Sequence, residues 1–408
     1  MTGSDRSPLS SLDLTLLRRR TSEKWRHYPD DVLPLWVAEM DVPLAEAIER
    51  ALVEATEIGD LGYAIAEPYV EALAGFAARH WGWNGVDVSL SRPVANVMSG
   101  VAAAISVLTG PGDSVVVNCP VYPPFYSYVE NSGRVVDEAP LDAAGRLDLA
   151  ALEAAFARAR DRSERPAYLL CSPHNPTGTL HRREELADAL ELATRYGLRV
   201  ISDEIHAPLV LRGTFTPLLS LDGAEQAVAI LSASKAFNLA GAPAAVLVAG
   251  EDAHDVIDAL GHRVVPGPSH LGVIAQSAAL NGADEWLAAL LSDLRERQGL
   301  LVDLLATHLP DARYQPGAAT YLAWLDVGDL GLPASSEESR GQMTNLSGPA
   351  AFFLEHARVA LSDGSAFGTG GAGHVRLNFA TTETILTEAL ERLGHSLGAP
   401  EHSSVVGE

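Results

Sequence analysis

Two patterns of apolar residues take turns along the middle of the chain. Unbroken apolar runs such as Ala167 to Cys171 and Ala227 to Leu231 have the length of buried strands. Between these runs, stretches such as Arg183 to Tyr196 repeat apolar residues at helical spacing. Strands and helices that alternate in this way predict an α/β fold, in which helices cover a mostly parallel sheet.

The alternation continues through the whole of this region. The predicted elements are, in chain order, a strand Ser114 to Asn118, a helix Pro124 to Asn131, a strand Arg134 to Glu138, a helix Leu149 to Arg158, the strand Ala167 to Cys171, the helix Arg183 to Tyr196, a strand Arg199 to Ser202 and the strand Ala227 to Leu231.

The flanking segments predict further elements outside this sheet. Helical spacing appears before it in Pro43 to Glu57 and Pro68 to His80, and after it in long helices from Gly272 to Leu305. A smaller domain is then predicted from two strands and two helices: Thr320 to Asp326, His374 to Ala380, Pro349 to Arg358 and Thr384 to Leu397.

These elements predict how the chain is divided. Residues 1–45 form an N-terminal arm associated with the small domain, and residues 46–285 form the large domain. Residues 286–397 form the smaller α/β domain, and 398–408 are a disordered tail. The polar, serine- and glycine-rich segment 328–348 is expected to be an exposed insertion.

Composition and charge narrow the class of protein. The chain has 408 residues, of which 47% are hydrophobic, so it can bury a large core. Its 29 basic and 53 acidic residues give a net charge of −24, which argues against nucleic acid or an anionic membrane as partner. The N-terminus lacks the profile of a signal peptide, and no apolar run approaches membrane-spanning length. We therefore expect a soluble cytoplasmic protein.

The sequence predicts neither a disulfide nor a metal site. Cys119 and Cys171 each end an apolar run, which favours buried thiols over a disulfide. Histidines, cysteines and acids show no metal-ligand spacing, so no metal is predicted.

Lys235 is the residue with the clearest chemical meaning. It follows the apolar run Ala227 to Leu231 and lies among small residues, including Ser232 and Ser234. Burial disfavours a charged ammonium, and the neutral amine can form a Schiff base. From these residues alone, a surface lysine with a buried stem is an equally good interpretation.

Other polar residues stand where further predicted strands end. Tyr122, Asn175 and Asp203 each follow a different strand, and ligands of parallel sheets gather beyond the carboxyl ends of the strands. Asp203 alone could cap a helix, but it lies 28 residues after Asn175 and 32 before Lys235, so each comes from a separate strand–helix unit. This spacing favours a shared site.

A possible anion site lies earlier, around Gly100. The stretch from Asn96 to Ile105 is predicted to pass from a strand through Gly100 into a helix. The amides of Gly100 and Val101 could then bind phosphate at the helix start. The alternative is an ordinary strand-to-helix turn.

Together these groups match what pyridoxal phosphate needs from a protein. A lysine binds its aldehyde, an acid keeps its pyridine nitrogen protonated, a donor pairs with its phenolic oxygen, and an anion site holds its phosphate. Each of these groups has a predicted counterpart in this chain, so we predict this cofactor.

Three motifs resemble fold-type I aminotransferases of class I/II. They are Ser-Pro-His-Asn-Pro-Thr-Gly (172–178), Ser-Asp-Glu-Ile-His (202–206) and Ser-Ala-Ser-Lys-Ala-Phe-Asn-Leu-Ala-Gly (232–241). The resemblance implies a large domain with a mostly parallel seven-stranded sheet, a smaller α/β C-terminal domain and pyridoxal phosphate.

A narrower resemblance is to the MalY/PatB family of C–S lyases, and it extends from about Arg20 to Leu397. It depends on Trp36-Val-Ala-Glu-Met-Asp41, Pro120-Val-Tyr-Pro-Pro-Phe125, the Asp-Glu-Ile-His run and Thr320-Tyr-Leu-Ala-Trp-Leu-Asp326. The sequence departs from the family's usual residues at Glu39, at Ala242-Pro243 and at Thr381-Thr-Glu383. These departures leave the identity of the substrate open.

The resemblance implies roles for particular residues. Lys235 forms the Schiff base and removes the substrate Cα proton, Asp203 pairs with the pyridine nitrogen, Asn175 with the ring oxygen, and Tyr122 stacks on the ring. His206 lies near the cofactor. The phosphate is held by Ser232, Ser234 and the amides of Gly100 and Val101, and by Tyr63 from a neighbouring subunit. Arg376 grips the substrate α-carboxylate with a two-pronged hydrogen bond.

We therefore expect a homodimeric lyase that cleaves the Cβ–S bond of cystathionine, cystine or another cysteine conjugate. Its products would be a thiol, pyruvate and ammonia. A class I/II aminotransferase uses the same residues and is the main alternative, because fold and cofactor do not fix reaction type. A ligand-sensing protein without turnover is a third interpretation, against which Lys235, Asp203, Asn175 and Arg376 argue.

Overall fold

The structure is a computed structural model that describes residues 7–261, 266–335, 340–342 and 346–398. The predicted tail lies outside these residues except for Gly398, and so does part of the predicted insertion 328–348.

Helices and strands alternate through most of the chain. The N-terminal half contains α1 (Leu14–Leu17), α2 (Glu23–Arg26), β1 (Leu33–Pro34), α3 (Glu46–Glu57), α4 (Glu67–Trp81), β2 (Ser91–Val94), α5 (Val97–Leu108), β3 (Ser114–Cys119), α6 (Pro124–Asn131), β4 (Val135–Pro140), α7 (Leu149–Arg162), β5 (Ala167–Cys171), α8 (Arg183–Tyr196) and β6 (Arg199–Asp203).

The C-terminal half continues the series. It contains β7 (Val228–Leu231), β8 (Ala245–Ala249), α9 (His254–Gly261), α10 (His270–Gly282), α11 (Asp284–His308), β9 (Arg313–Tyr314), β10 (Leu322–Asp326), α12 (Gly348–Phe352) with a π-helical turn (Phe353–Ala357), β11 (Val359–Ala360), β12 (Ser362–Asp363), β13 (His374–Asn378) and α13 (Glu383–Leu397).

The large sheet has seven strands in the order β2-β8-β7-β6-β5-β3-β4. Strands β4, β3, β5, β6 and β7 run parallel to one another, whereas β8 is antiparallel to β7 and to β2. This confirms the predicted mostly parallel seven-stranded sheet. Strand β8 was not identified from the pattern, because it follows the loop after Lys235 without a helix in between.

Register brings the ends of the central strands together. Asp203 at the end of β6 is the partner of Cys171 at the end of β5, and of Ile230 in β7. The residues that follow these strands therefore emerge at one edge of the sheet. Cys119 and Cys171 are buried free thiols, as predicted.

The start of α5 differs from the prediction at Gly100. The helix begins at Val97, and the Asn96 side chain caps it by accepting from the Ser99 N–H at 2.9 Å. Gly100 thus lies inside the first turn rather than at the junction between strand and helix. Asparagine is a preferred cap because its oxygen pairs with one of the free amides of the helix start.

A second sheet lies in the C-terminal part, with the strand order β12-β13-β10-β9. Its strands are antiparallel, and Arg376 in β13 pairs with Trp324 on one side and Ser362 on the other. The N-terminal strand β1 pairs with β11. The domain limits given above stay a prediction.

Candidate active site

A cleft of about 300 Å³ opens where the carboxyl ends of the large sheet meet the N-terminal arm and β13. It is lined by Val37, Ala38, Asn96, Val97, Met98, Tyr122, Tyr128, Cys171, Asn175, Ile205, His206, Ser234, Lys235, Ala240, Pro243, Ala244 and Arg376. The described lining includes two cations and no aspartate or glutamate. The wall therefore favours anionic groups.

Lys235 projects into this cleft from the loop after β7. Its Nζ donates to the Ala38 carbonyl oxygen at 2.9 Å. Burial, assisted by the positive charge of Arg376, lowers the pKa of the Lys235 amine to about 8. A substantial fraction of this amine is thus neutral near pH 8, which is the form that acts as a nucleophile or a base.

Asp203 is buried at the end of β6, with 3% of the residue exposed. Its Oδ1 accepts the Ile205 N–H at 3.1 Å. Burial raises the pKa of this carboxyl to about 7, and the charge of Lys235 opposes the rise. A buried carboxyl of this kind becomes fully ionised when a cationic partner, such as a protonated pyridine nitrogen, is placed beside it.

Arg376 is also buried, with 1% of the residue exposed. Its Nη1 donates to Asn175 Oδ1 at 3.1 Å, and its Nη2 donates to the Trp36 carbonyl at 3.0 Å and to Ser362 Oγ at 3.2 Å. Burial lowers the pKa of the guanidinium to about 10. Its Nε has no partner among the described residues.

The partners of Arg376 are all neutral. None of the ion pairs among the described residues includes it, although surface arginines such as Arg358 are paired with acids. A buried cation without a counterion is costly, because desolvation is not repaid by a nearby anion. The position suits a ligand carboxylate.

The N-terminal arm forms the wall opposite the sheet. The carbonyl oxygens of Trp36, Ala38 and Glu39 accept hydrogen bonds from Arg376, Lys235 and Lys24 respectively. Asn378 Nδ2 donates to the carbonyls on both sides of Ala38, those of Val37 at 2.8 Å and Glu39 at 2.7 Å. The arm is therefore fixed by side chains from both parts of the fold.

The two predicted serines lie at different depths. Ser234 lines the cleft, whereas Ser232 is buried beneath it and its hydroxyl lies 2.7 Å from the Ala244 carbonyl. Their hydroxyl oxygens are 3.0 Å apart. Ser234 is thus the one that a ligand can reach directly, and a phosphate contact by Ser232 requires its hydroxyl to leave Ala244.

The first turn of α5 faces the cleft through Asn96, Val97 and Met98. The Gly100 N–H donates to the Asn96 carbonyl at 3.1 Å, so it already has a helical acceptor. Because the first amides of a helix have no such acceptor, those of Val97 and Met98 are the open ones in this turn. Anion binding by the Gly100 and Val101 amides stays a prediction.

Tyr122 and His206 lie in the cleft wall as well. Burial raises the pKa of the Tyr122 hydroxyl to about 12, so the ring is an uncharged surface for stacking. Burial lowers the pKa of His206 to about 3, which keeps its imidazole neutral. His206 therefore offers polarity without charge, in keeping with its predicted place near the cofactor.

Tyr63 is the one predicted site residue that is fully exposed. It lies in the loop between α3 and α4, and it does not line the cleft. Its neighbours in this loop, Ile58, Leu61 and Ile65, are between 62% and 73% exposed. The loop therefore presents apolar side chains that the rest of the described chain leaves exposed.

The donor set fits pyridoxal phosphate. A partly neutral lysine and the amide of Asn175 line one cleft, the carboxyl of Asp203 is buried two residues before Ile205 of its wall, and open helix amides and Ser234 provide a place for phosphate. The sequence did not single out Tyr321, whose hydroxyl donates to the Ala38 carbonyl at 3.0 Å, or Tyr128 at the rim. A backbone acceptor such as Ala38 leaves no mark on residue type, which is why this contact was missed.

The chain is similar in sequence to a known protein family and to named bacterial proteins. The family model for class I and II aminotransferases matches residues 77–393. A protein of Mycobacterium leprae, provisionally named cystathionine beta-lyase, is 52% identical over 96% of this chain and 98% of its own. The cystathionine beta-lyase PatB of Bacillus subtilis is 33% identical over 90% of this chain and 93% of its own.

Solved structures show the same architecture. A crystal structure from Corynebacterium diphtheriae, provisionally described as a pyridoxal phosphate-dependent beta-cystathionase, matches with a TM-score of 0.86 and 32% identity. It covers 96% of this chain and 99% of its own chain. The likeness therefore includes the arm, the large sheet and the C-terminal sheet together.

Proposed function

The chain belongs to the family of class I and II aminotransferases, and from this membership and the cleft we propose that it is a pyridoxal phosphate-dependent C–S lyase. The reaction is β-elimination from cystathionine or another S-substituted cysteine. It consumes one water and gives a thiol, pyruvate and ammonia.

The observation that carries the proposal is that Lys235 and Arg376 line the same cleft. Arg376 has no anion of its own among the described residues, and an amino acid brings a carboxylate that accepts two parallel hydrogen bonds from a guanidinium. A substrate held there by its carboxylate presents its Cα toward the amine of Lys235, which lines the same cleft.

In the proposed reaction, each residue of the site has a separate chemical role. Pyridoxal phosphate, when bound, supplies an aldehyde that condenses with amines and a ring that takes up the electron pair left at the substrate Cα. Asp203 would hold a proton on the ring nitrogen of the cofactor, and Asn175 would donate to its ring oxygen. Lys235 Nζ, in its neutral form, accepts the Cα proton. As the Cβ–S bond breaks, its electron pair leaves with sulfur as a thiolate, and the pair that the proton left at Cα forms the Cα=Cβ double bond; one water then converts this product to pyruvate and ammonia.

The relatives support elimination over transamination. The same residues could also serve an aminotransferase, since nothing in the geometry of Lys235 and Asp203 decides between the two reactions. The relatives at 52% and 33% identity and the solved structure at 32% identity are all named for cystathionine cleavage. This is the reason for placing the lyase first.

We also propose that the protein is a cytoplasmic homodimer in which Tyr63 completes the neighbour's site. The support is the loop with Ile58, Leu61, Tyr63 and Ile65, whose exposed apolar side chains favour burial against a second copy. A hydroxyl that reaches no group of its own cleft can still act on the neighbour's phosphate. No helix in the described part of the chain is long and apolar enough to cross a membrane.

Product release over many turnovers tests the lyase directly. Cystathionine and other cysteine thioethers are supplied without any keto acid, and pyruvate and thiol are counted per site. A lyase continues to turn over, because its cofactor returns to the starting form in every cycle. An aminotransferase leaves the Cβ–S bond intact, so it releases no thiol or pyruvate; it forms about one equivalent per site of the keto acid of the thioether and resumes only when another keto acid is added. Such an arrest on every thioether would replace the lyase proposal by the aminotransferase.

A further inference from the structure

Tyr321 shares a hydrogen-bond acceptor with Lys235. The Tyr321 hydroxyl donates to the Ala38 carbonyl at 3.0 Å, and Lys235 Nζ donates to the same oxygen at 2.9 Å. Only 1% of Tyr321 is exposed, so this carbonyl is what satisfies its buried hydroxyl. A carbonyl oxygen has two lone pairs and can accept from both donors at once.

We propose that Tyr321 is a positioning residue for Lys235 that acts through the Ala38 carbonyl. A neutral amine has two hydrogens and one lone pair, so donation of one hydrogen to a fixed oxygen restricts where the lone pair points. The lone pair is what receives the substrate proton, and the proposal rests on the proposed role of Lys235 as that base. Tyr321 is not part of the cleft lining, so in this proposal it acts only through the Ala38 carbonyl.

The Ala38 carbonyl is held in place because the residues before and after it in the arm are both hydrogen-bonded. Asn378 Nδ2 donates to Val37 and to Glu39, the residues that flank Ala38. Within the described part of the chain, the side-chain donors to Ala38 itself are Lys235 and Tyr321. When Lys235 moves during the reaction, Tyr321 is the donor that stays on this oxygen.

The backbone just before Tyr321 is strained in a way that supports a functional role. Thr320 is fully buried and has φ of 68°, a left-handed conformation that is rare for a β-branched residue. It is held there by its own N–H, which donates to the Leu209 carbonyl at 2.9 Å, and by the Leu322 N–H, which donates to its hydroxyl at 3.2 Å. Such conformations persist where the surroundings enforce them, and they cluster at functional sites.

Several charged groups act on Lys235, and removal of the Tyr321 hydroxyl removes none of these groups, although it takes away one influence that raises the pKa of Arg376. Burial and Arg376 lower its pKa to about 8, while Glu39 and Asp203 act in the opposite direction. His206 also faces it, as a neutral ring. Without the Tyr321 hydroxyl, the Ala38 oxygen is left to the lysine alone and becomes a better acceptor for its ammonium. The titration of Lys235 should therefore move to higher pH.

The test compares Tyr321→Phe with Tyr168→Phe as a matched control. Tyr168 is equally buried, and its hydroxyl likewise donates one hydrogen bond, to Asn118 Oδ1, outside the cleft. Two quantities are measured: kcat and KM of the cofactor-loaded enzyme, and the pH midpoint at which Lys235 of the full-length, cofactor-free chain reacts with an acylating reagent, read by peptide mass spectrometry. The second needs no turnover, so it remains informative if the lyase assay fails.

For Tyr321→Phe we expect kcat to fall about 10-fold with KM within about twofold, and the labelling midpoint to rise by about half a pH unit, the size of one hydrogen bond. Tyr168→Phe should change neither. An unchanged midpoint in Tyr321→Phe overturns the proposal, whatever happens to kcat. If Tyr321→Phe does not fold, replacement of Tyr321 by 3-fluorotyrosine, a stronger donor of nearly the same shape, should lower the midpoint, and a midpoint that stays in place overturns the proposal equally.

Discussion

Lys24 and Arg376 are two buried cations that donate to carbonyls of the arm, and they are stabilised in different ways. Each has 1% of its surface exposed, and each donates to an arm carbonyl, Lys24 to Glu39 and Arg376 to Trp36. Lys24 Nζ also lies 2.7 Å from Asp41 Oδ2, which is itself fully buried. Arg376 donates hydrogen bonds only to neutral oxygens, and its guanidinium carbon lies 5.1 Å from the centre of the Phe367 ring.

We infer from this difference that the charge of Lys24 stabilises the fold, whereas the charge of Arg376 serves ligand binding. The Lys24–Asp41 pair is complete within the chain, and the Trp25 indole N–H adds a hydrogen bond to Asp41 Oδ1 at 2.9 Å. Arg376 has no anionic partner among the described residues, and under the proposed function the substrate carboxylate supplies one. Burial of a cation without a counterion costs desolvation free energy. The presence of Arg376 in this position therefore favours a ligand whose negative charge offsets that free energy.

Removal of the functional cation should have the largest effect on activity. In Arg376→Leu, kcat/KM for a cysteine thioether is expected to fall about 10³-fold, since a charged, two-pronged contact to the substrate is lost. The midpoint of unfolding should change little, because the loss of its hydrogen bonds is offset by the loss of a desolvated charge. Steady-state kinetics and thermal unfolding measure the two effects, and Arg376→Lys keeps the charge as a control.

Removal of the structural cation should have the opposite profile. Lys24→Met leaves the buried Asp41 with only the more distant Arg20, whose Nη1 lies 4.0 Å from Asp41 Oδ1, and is expected to cost about 3 kcal/mol of folding free energy, the low end for a broken buried pair. Activity per folded molecule should fall far less than in Arg376→Leu. Urea unfolding of the cofactor-free protein measures the loss, and the double variant Lys24→Met with Asp41→Leu should recover part of it. If Lys24→Met were as stable as the parent, the assigned difference between the two cations would be wrong.

Lys235 is a third cation that donates to an arm carbonyl, that of Ala38, and the change of protein stability with pH that it causes is a smaller effect. Its pKa is about 8 in the folded chain and about 10.5 when unfolded, so the unfolded chain binds more protons between these values. Stability attributable to Lys235 therefore rises as pH increases from about 8 to 10.5. Lys235→Met should lack this contribution. Urea unfolding at pH 8 and 10 compares the two proteins, and identical pH dependence would contradict the lowered pKa.

Residue types and spacing were enough to predict part of this site. Lys235, Asp203 and Asn175 end successive strands, so their convergence follows from the geometry of a parallel sheet. Arg376 was assigned by resemblance alone, because the sequence does not reveal that its partners are neutral. The same limit applies to the Ala38 carbonyl, whose role depends on how the arm folds across the cleft.

The prediction at Gly100 shows a second limit. Gly100 suggested a turn, but the cap by Asn96 starts α5 three residues earlier, at Val97. The need for glycine there is explained by packing: a Cβ at Gly100 would lie 3.0 Å from Ile230 and 3.2 Å from Val94. A glycine required for close packing and one required for a turn are identical in sequence.

The central claim, that Arg376 is neutralised by the substrate carboxylate, is tested most directly by a double comparison. S-methyl-L-cysteine and its carboxamide differ only in that carboxylate, and kcat/KM is measured for both with the parent protein and with Arg376→Gln. We predict that the parent prefers the acid by about 10²- to 10³-fold and that Arg376→Gln shows almost no preference, because the charge that distinguishes the two substrates is gone. An acid preference that survives in Arg376→Gln would mean that another group binds the carboxylate, and would contradict the account.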